Sequence, residues 1–368
     1  MGTKTLVMQP KTNEEVGKSM MGTKSSAALG IQSDAAFMEA AKQLRGRDLC
    51  SIADLSVQEL AAIMELSHAV KAHPEDFRHA LDAQQMVLIF EKASLRTRLT
   101  FEAAMNTCGG NAIFVDQTQS PLGERESLGD MAHNLERWMN VIVLRTYSHD
   151  TVLEMASASK VPVINALSDY EHPCQAIADF FTLEEKFGSC EGLKFTYVGD
   201  GNNVCHSLIL AGALLGAHCT VATPKNYEPE LEIIHKAIAI CEETGGSLQL
   251  THDAMKAATG ADAIYTDVCI SMGQEHEATK RAPIFKPYQV NEALMAQASE
   301  HAVFMHCLPA HRGAEVTDAV MDSPQAVIFD QAENRLHAQK ALMLMLLGGA
   351  KRIQRKRGPD GKKRTTLA

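Results

Sequence analysis

Five adjacent residues, Ser94-Leu95-Arg96-Thr97-Arg98, place two hydroxyl groups and two guanidinium groups in one short segment. The apolar run 86–90 before them predicts a buried parallel strand, and apolar residues recur at helical spacing after them. The segment therefore lies where a strand turns into a helix, and the free N–H groups and dipole of a helix N-terminus favour an anion. Arginine adds planar, forked donors that suit phosphate. Taken alone, the segment fits equally well a phosphate site or a helix capped by Ser94.

Two further cationic or imidazole side chains follow predicted strands in the same half of the chain. Arg145 comes directly after a strand, where its guanidinium could reach a phosphate or a polarised carbonyl oxygen. His172 precedes a helix that begins at Pro173, so the helix dipole favours a neutral imidazole or one that donates to an oxyanion. A surface arginine and an ordinary capping histidine are the simpler interpretations of each residue by itself.

Carboxylate, hydroxyl and thiol groups follow strands in the second half. Asp267 and Ser271 can both accept from an ammonium group, and Gly273 would let their segment move as a lid, although a plain polar loop fits the same residues. His306 and Cys307 could form a base and a nucleophile. Neighbours on an extended segment point in opposite directions, so a thiol that lines a pocket is favoured over this dyad.

A glycine-containing turn follows the first strand of the second half. Residues 199–203, Gly-Asp-Gly-Asn-Asn, partly match a dinucleotide-binding loop, but Val204 replaces the third glycine and no acidic residue ends the next strand. A tight turn that presents the Asn203 amide to a small ligand suits these residues better.

The elements that must position these residues alternate between short apolar strands and amphipathic helices. This repetition predicts an α/β protein of two doubly wound lobes, each a parallel sheet flanked by helices, with long helices linking the lobes. Ligands bind such folds in a cleft at the carboxyl ends of the strands. The predicted strands are 86–90, 112–115, 141–144, 162–165, 193–198, 218–222, 248–250, 263–266, 303–305 and 326–329, and the predicted helices include 94–108, 127–139, 151–157, 173–187 and 331–347.

Composition indicates an ordinary globular chain. Of 368 residues, 45% are hydrophobic and 22% are charged, and the length suits two domains. The formal net charge of −10 argues against general nucleic-acid binding, and no apolar run is long enough to span a bilayer. Nine cysteines without a C-x-x-C pair or zinc spacing, and without a signal-peptide pattern, predict a cytoplasmic protein without a metal site.

The pattern divides the chain into five segments. Residues 1–44 form a polar extension that is expected to be flexible, and residues 45–185 and 186–330 form the two lobes. Residues 331–350 form a C-terminal helix that packs back on the first lobe. Residues 351–368 carry eight Lys/Arg and one Asp and are expected to be a flexible basic tail.

Four of these motifs, in this order, resemble the aspartate/ornithine carbamoyltransferase family. Its S-x-R-T-R, H-P-x-Q, D-x-x-x-S-M-G and H-C-L-P motifs match residues 94–98, 172–175, 267–273 and 306–309, and the last two are similar to its ornithine branch. The similarity extends over about residues 49–347. It implies transfer of a carbamoyl group from carbamoyl phosphate to the δ-amine of L-ornithine, which yields L-citrulline and phosphate without a cofactor.

The resemblance also implies a role for each matching residue, with the first lobe binding carbamoyl phosphate and the second binding ornithine. The implied catalytic residues are Arg98, Arg145, His172 and Cys307. The implied carbamoyl phosphate ligands are Ser94, Leu95, Arg96, Thr97, Arg145, His172, Cys174, Gln175, Cys307, Leu308 and Arg335, and the implied ornithine ligands are Asn203, Asp267, Ser271 and Met272.

The resemblance implies a homo-oligomer, a trimer or a multiple of trimers, whose sites lie between subunits. It implies neither nucleic acid nor a membrane as a partner.

Two departures from the family pattern concern the phosphate pocket. Leu95 replaces a commoner threonine, which removes a hydroxyl but keeps the backbone N–H. Pro121 falls in the loop 116–125, where a neighbour's donor is expected, and it cannot donate. Substitutes within that loop are Gln117, Gln119 and Arg125.

Other functions are also compatible with the sequence. The amine could be putrescine, N-acylated ornithine or aspartate, although Asp267 beside Ser271 and Met272 favours a free α-amino group. A non-catalytic family member and an NAD-binding oxidoreductase are the remaining alternatives, and the intact set of cationic residues argues against the first. The proton of the attacking amine could pass to Asp267, to Cys307 or to the departing phosphate.

Overall fold

Two α/β lobes make up the computed structural model, which describes residues 30–31, 33–269, 277–351, 353–357 and 363–367. Each strand of the two large sheets is parallel to its neighbours. The first lobe contains α1 (Asp34–Leu44), α2 (Val57–Ala72), β1 (Gln85–Phe90), α3 (Leu95–Asn106), β2 (Asn111–Asp116), α4 (Leu128–Leu135), β3 (Val141–Arg145), α5 (His149–Ala158), β4 (Val163–Leu167) and α6 (Pro173–Phe187).

The second lobe repeats the alternation of strands and helices. It contains β5 (Lys194–Val198), α7 (Asn203–Leu214), β6 (His218–Ala222), α8 (Leu231–Thr244), β7 (Ser247–Thr251), α9 (Ala254–Ala258), β8 (Ala263–Tyr265), α10 (Ala278–Phe285), α11 (Glu292–Met295), β9 (Val303–Met305) and α12 (Asp318–Met321). The chain then forms α13 (Ile328–Leu347), β10 (Ile353–Arg357) and β11 (Lys363–Leu367).

The strand order places the chemistry-bearing loops at one edge of each sheet. The first sheet has the order β2-β1-β3-β4, and the second has the order β7-β6-β5-β8-β9. The order therefore reverses direction beside β1 and beside β5, and ligands bind outside the carboxyl ends of strands at such switch points. This arrangement confirms the predicted fold class of two parallel sheets flanked by helices.

Two long helices connect the lobes. Helix α6 begins at Pro173, a residue that suits a first turn, and ends at Gly188 in the left-handed conformation. It packs against α7 of the second lobe, and α13 packs against α2, α3 and α6. Because Leu342, Met345 and other apolar residues of α13 are fully covered, one continuous hydrophobic core extends through both lobes.

The structure corrects three expectations. Residues 34–44 of the supposedly flexible extension form α1, whose Phe37 and Leu44 are buried in the first lobe. Residues 326–329 are not a strand: Ala326 makes a single bridge to Phe304, and α13 then begins at Ile328. The basic tail is not wholly irregular, because β10 and β11 pair as an antiparallel ribbon.

Among the described residues, no helix is both long and apolar enough to cross a membrane.

Candidate active site

A cleft of about 530 Å³ lies between the lobes, at the carboxyl ends of their strands. Its size is that of a small-molecule site. Most of the residues singled out in the sequence meet here. From the first lobe and α13 the cleft is lined by Ser94, Leu95, Arg96, Thr97, Arg145, His172, Gln175 and Arg335, and from the second lobe by Asn203, Asp267, Cys307 and Leu308.

The N-terminus of α3 forms one wall of this cleft. Ser94 is the N-cap, and its hydroxyl accepts from the backbone N–H of Thr97 at 3.3 Å. The predicted cap is therefore present, and it does not exclude an anion, since a capped helix still presents its other N–H groups to the cleft. The fully buried Thr97 hydroxyl accepts from Nη2 of Arg335 at 2.8 Å, which attaches α13 to the same wall.

Three guanidinium groups line the cleft, and burial lowers the pKa of each. Burial, together with Arg335 and Arg96, lowers the pKa of Arg145 to about 9. Burial also lowers the pKa of Arg335 and of Arg96. Asp267 lies on the opposite wall of the cleft, where its carboxylate accepts hydrogen bonds from Asn202 and Cys307. Such a concentration of positive charge in a partly dry cleft favours a multiply charged anion.

His172 and Gln175 present polar atoms beside the cations. Burial and the positive charges of Arg335, Arg145 and Arg96 lower the pKa of His172 well below its usual value, so the imidazole is neutral near pH 7. Its Nδ1 is buried without a hydrogen-bond partner among the described residues. Gln175 donates from Nε2 to Asp179 at 2.7 Å, which leaves its Oε1 without a partner there.

The opposite wall carries a carboxylate and a thiol. Asp267 accepts from the Asn202 amide at 2.9 Å and from the Cys307 thiol at 3.1 Å. Burial and the negative charge of Asp267 raise the pKa of Cys307 well above its usual value. The thiol is therefore protonated near neutral pH and donates a hydrogen bond to Asp267. Because only a thiolate is a strong nucleophile, this protonation makes Cys307 a poor nucleophile.

His306 does not act as a base for Cys307. Its Nδ1 accepts from the backbone N–H of Leu308 at 2.9 Å, so Nε2 carries the proton and donates to buried Glu315 at 3.1 Å. Asp267, His306 and Cys307 offer ligand atoms within 4.8 Å of one another, as a metal site would. Hydrogen bonds already occupy the lone pair of His306 and both carboxylate oxygens of Asp267, which accounts for these atoms without a metal ion.

Some expected site residues lie outside the cleft. Arg98 pairs with Glu102 at 2.9 Å and stacks on the ring of Phe114, so its guanidinium points away from the cleft and not towards a reacting group. The buried Cys174 thiol contacts the carbonyl of Asn165 at 3.5 Å, within the core. Helical geometry explains both positions, since a residue one or two places from a cleft-facing residue lies on another face of its helix.

The structure adds residues that the sequence analysis did not select, and the predicted ornithine ligands Ser271 and Met272 lie outside the described residues. Lys92 and His311 line the cleft. Lys92 lies two residues after the end of β1, at the same edge of the sheet as Arg145, the last residue of β3. Asn203 lies at the lobe boundary, where its amide donates to the carbonyl of Ser168 in the first lobe at 2.6 Å.

The glycine-containing turn is filled by its own chain. A Cβ atom at Gly201 would lie 2.4 Å from the backbone nitrogen of Pro229, so this glycine permits close packing of two loops. Asp200 pairs with the buried Arg281, and Asn202 caps α7 while holding Asp267. The backbone that would cradle a pyrophosphate in a dinucleotide site is therefore covered, which argues against that alternative.

The fold and the cleft define an enzyme that brings an anionic donor and an amine together between two α/β lobes. Sequence profiles assign its chemistry: the carbamoyl-P binding domain of aspartate/ornithine carbamoyltransferase matches residues 47–185, and the Asp/Orn binding domain matches residues 191–346. The chain belongs to the aspartate/ornithine carbamoyltransferase family.

Similar proteins and solved structures agree with this assignment. The ornithine carbamoyltransferase of Pyrococcus horikoshii is 49% identical over 310 residues, which cover 84% of this chain and 98% of that protein. The Synechocystis enzyme of the same name is 48% identical over 83% of this chain and 98% of its own length. The structure of ornithine carbamoyltransferase from Pyrococcus furiosus superposes with a TM-score of 0.81 at 48% identity, covering 84% of this chain and 99% of that one.

Proposed function

We propose that this chain transfers the carbamoyl group of carbamoyl phosphate to the δ-amine of L-ornithine, which gives L-citrulline and phosphate. The observation that carries the proposal is a cleft with three arginines and a helix N-terminus on one wall and a carboxylate on the other. An anionic donor and a cationic amino acid are the pair of ligands that such a charge separation suits. The names of the relatives at about 48% identity support ornithine as the amine.

The phosphate group would bind at the start of α3. Ser94, Leu95, Arg96 and Thr97 border this position, and the backbone N–H groups there are those that a helix leaves unpaired. Leu95 can serve through its backbone, so its apolar side chain does not prevent binding. Arg96 and Arg335 would stabilise the charge that grows on phosphate as the C–O bond breaks.

The carbamoyl group would lie between Arg145, His172 and Gln175. Arg145 and a neutral His172 can each donate to the carbamoyl oxygen, whose negative charge grows as the amine attacks. Neutrality does not prevent this role, because one imidazole nitrogen always keeps a proton near pH 7. Gln175 can accept from the carbamoyl amide through Oε1.

Ornithine would bind to the second lobe. We assign its α-amino group to Asp267 and place Asn203, Ser271, Met272 and Leu308 around its backbone. Cys307 would border both substrates, and its raised pKa, which keeps the thiol protonated, disfavours a covalent role near neutral pH. A free δ-amine has a pKa near that of lysine, about 10.4, so only a small fraction of ornithine carries the neutral, reactive amine near pH 7. The departing phosphate or Asp267 would accept the proton lost after attack, since Cys307 is already protonated.

We further propose that the working protein is a trimer and that each cleft is completed by a neighbour. Leu95 borders the cleft with 72% of its surface exposed, and Leu99 and Ile113 are also exposed nearby on α3 and β2. Apolar side chains this close to a site suit an interface. In the exposed loop 116–125, Gln119 and Arg125 can supply the neighbour's donor. Light scattering would measure the mass, and a monomer with full activity would contradict this proposal.

An amine panel tests the proposed reaction. Product formation from carbamoyl phosphate is measured with L-ornithine, putrescine, N-acetylornithine and L-aspartate at equal concentrations. We expect turnover with ornithine to exceed that with each other amine by at least about 10²-fold, because a site built to pair an α-ammonium group rejects ligands that leave the carboxylate unpaired. Turnover with putrescine alone, or with no amine, would contradict the assignment. As a control, unreacted carbamoyl phosphate is followed without enzyme to subtract its spontaneous decay.

A further inference from the structure

A buried carboxylate lies directly behind the cleft. Asp179 is on α6, one turn after Gln175, and is completely buried. Its Oδ1 accepts hydrogen bonds of 2.7 Å from the side-chain amides of both Gln175 and Gln331, and its Oδ2 accepts from the Tyr265 hydroxyl at 3.0 Å. Three donors thus surround one acidic group that does not line the cleft.

This arrangement selects one orientation of the Gln175 amide. Its Nε2 donates to Asp179, and its Oε1 is buried without a partner among the described residues, although Gln175 itself lines the cleft. If the amide were reversed, two acceptor oxygens would lie 2.7 Å apart. An ionised Asp179 therefore disfavours the reversed amide and leaves an acceptor facing the cleft.

The same carboxylate also orients the wall that carries the thiol. The Nε2 of Gln331 is committed to Asp179, so its Oε1 is free to accept from the backbone N–H of His306 at 3.0 Å. His306 directly precedes Cys307. One buried acid thus orients two amides, one that lines the cleft and one that holds the backbone beside Cys307.

On this geometry, and resting on the proposed function of the cleft, we propose that Asp179 is a positioning residue that sets the donor's chemical class. It holds Gln175 with its oxygen towards the ligand, so that the site selects a carbamoyl N–H₂ over the methyl group of an acyl phosphate. A methyl group would leave the buried Oε1 unpaired, which is costly.

Two phosphonates that differ in this group alone test the inference. Phosphonoacetamide carries the amide, and acetonylphosphonate has a methyl group in its place. Their dissociation constants are measured by calorimetry at pH 8.5, since burial raises the pKa of Asp179 to about 7 and the group must be ionised. We expect wild-type protein to prefer phosphonoacetamide by about tenfold or more, which corresponds to about 1.4 kcal/mol for one buried hydrogen bond.

Substitution of Asp179 should remove this preference. In Asp179→Leu the amide of Gln175 can rotate, and we expect the ratio of the two dissociation constants to fall to within about threefold of unity. Asp179→Ser is measured as a second variant, for the case that Asp179→Leu does not fold. The smaller serine leaves room for water, which can satisfy the buried donors around this position. The matched control is Tyr265→Phe, which removes a donor from the other oxygen of Asp179 but keeps its contact with Gln175.

The control should retain the wild-type ratio even if its stability falls. A wild-type ratio in a folded Asp179 variant, an equal loss in Tyr265→Phe, or no preference in the wild-type protein would each overturn the inference. The proposed reaction fails separately: wild-type protein that prefers phosphonoacetamide but forms no citrulline from ornithine contradicts the reaction and retains the role of Asp179.

Discussion

Replacement of Arg96 by alanine should abolish most of the activity while leaving the fold intact. Among the described residues the guanidinium of Arg96 makes no hydrogen bond or ion pair, so its removal leaves no polar partner unsatisfied there. Alanine is the best helix former, and the loss of one charge also relieves the mutual repulsion with Arg145. We therefore expect the free energy of unfolding to change by less than about 0.5 kcal/mol.

The effect on catalysis follows from the same geometry. Arg96 supplies a preorganised, charged donor where the leaving phosphate would develop charge, and loss of one such donor costs about 10²- to 10³-fold, or about 2.7–4 kcal/mol. Initial rates of citrulline formation at saturating ornithine would give kcat/KM for carbamoyl phosphate. Arg96→Lys keeps the positive charge but lacks the forked guanidinium donors. Its kcat/KM should lie between those of the wild-type protein and Arg96→Ala.

Lys236→Ala controls for the loss of a positive charge, because Lys236 lies on the outer helix α8, paired with Glu232. It should keep kcat/KM within about twofold of the wild-type value. The reasoning would be refuted by an Arg96→Ala variant that melts at the wild-type temperature and retains kcat/KM within about threefold of the wild-type value.

Further predictions follow from the remaining site residues. Cys307→Ala should keep at least about a tenth of wild-type activity, because a protonated thiol is a poor covalent nucleophile; an S-carbamoyl (thiocarbamate) adduct of Cys307 in the mass spectrum of the wild-type protein would show otherwise. Asp267→Asn should raise the KM for ornithine by about 10-fold or more with a smaller effect on carbamoyl phosphate binding, checked by steady-state kinetics against both substrates. His172 has a folded pKa below the unfolded value of about 6.5, so the unfolded state binds more protons there, and stability should fall as the pH drops below about 6.5. His172→Gln should flatten this dependence in denaturant unfolding at pH 5 to 8, and an identical slope in both proteins would argue against a neutral buried imidazole.

The strands were predictable where apolar runs are short and bounded by polar residues. Residues 218–222 and 303–305 coincide with β6 and β9, and the helix from Pro173 to Phe187 coincides with α6. The strand predicted at residues 326–329 was wrong because an apolar run of this length fits a strand or a buried part of a helix equally well. In α13, Ile328 is buried while the adjacent Phe329 is 74% exposed, a division between core and solvent that the residue types did not reveal.

The candidate site was predictable in its members more than in their contacts. Arg145 ends β3 and Asp267 comes shortly after β8, so a parallel fold necessarily places each at the carboxyl edge of its own sheet. The direction of Arg98 was not predictable, since Glu102 and Phe114 compete for its guanidinium. Asp179 was missed because an acidic residue in an amphipathic helix usually faces solvent, and only the packing of Tyr265 and Gln331 around it shows otherwise.

The sequence by itself determined the fold class, the family and most of the residues that meet in the cleft, because these depend on local periodicity and on residue types at strand ends. Tertiary structure alone decided the protonation and orientation of those residues. Burial among like charges keeps His172 neutral, and burial beside Asp267 keeps Cys307 protonated. The segment 94–98 is a helix cap by local chemistry, and it becomes part of a strongly cationic wall of the cleft because Arg335, far away in the chain, donates to Thr97. Desolvation and electrostatics depend on which distant groups become neighbours, and that is a property of the folded chain.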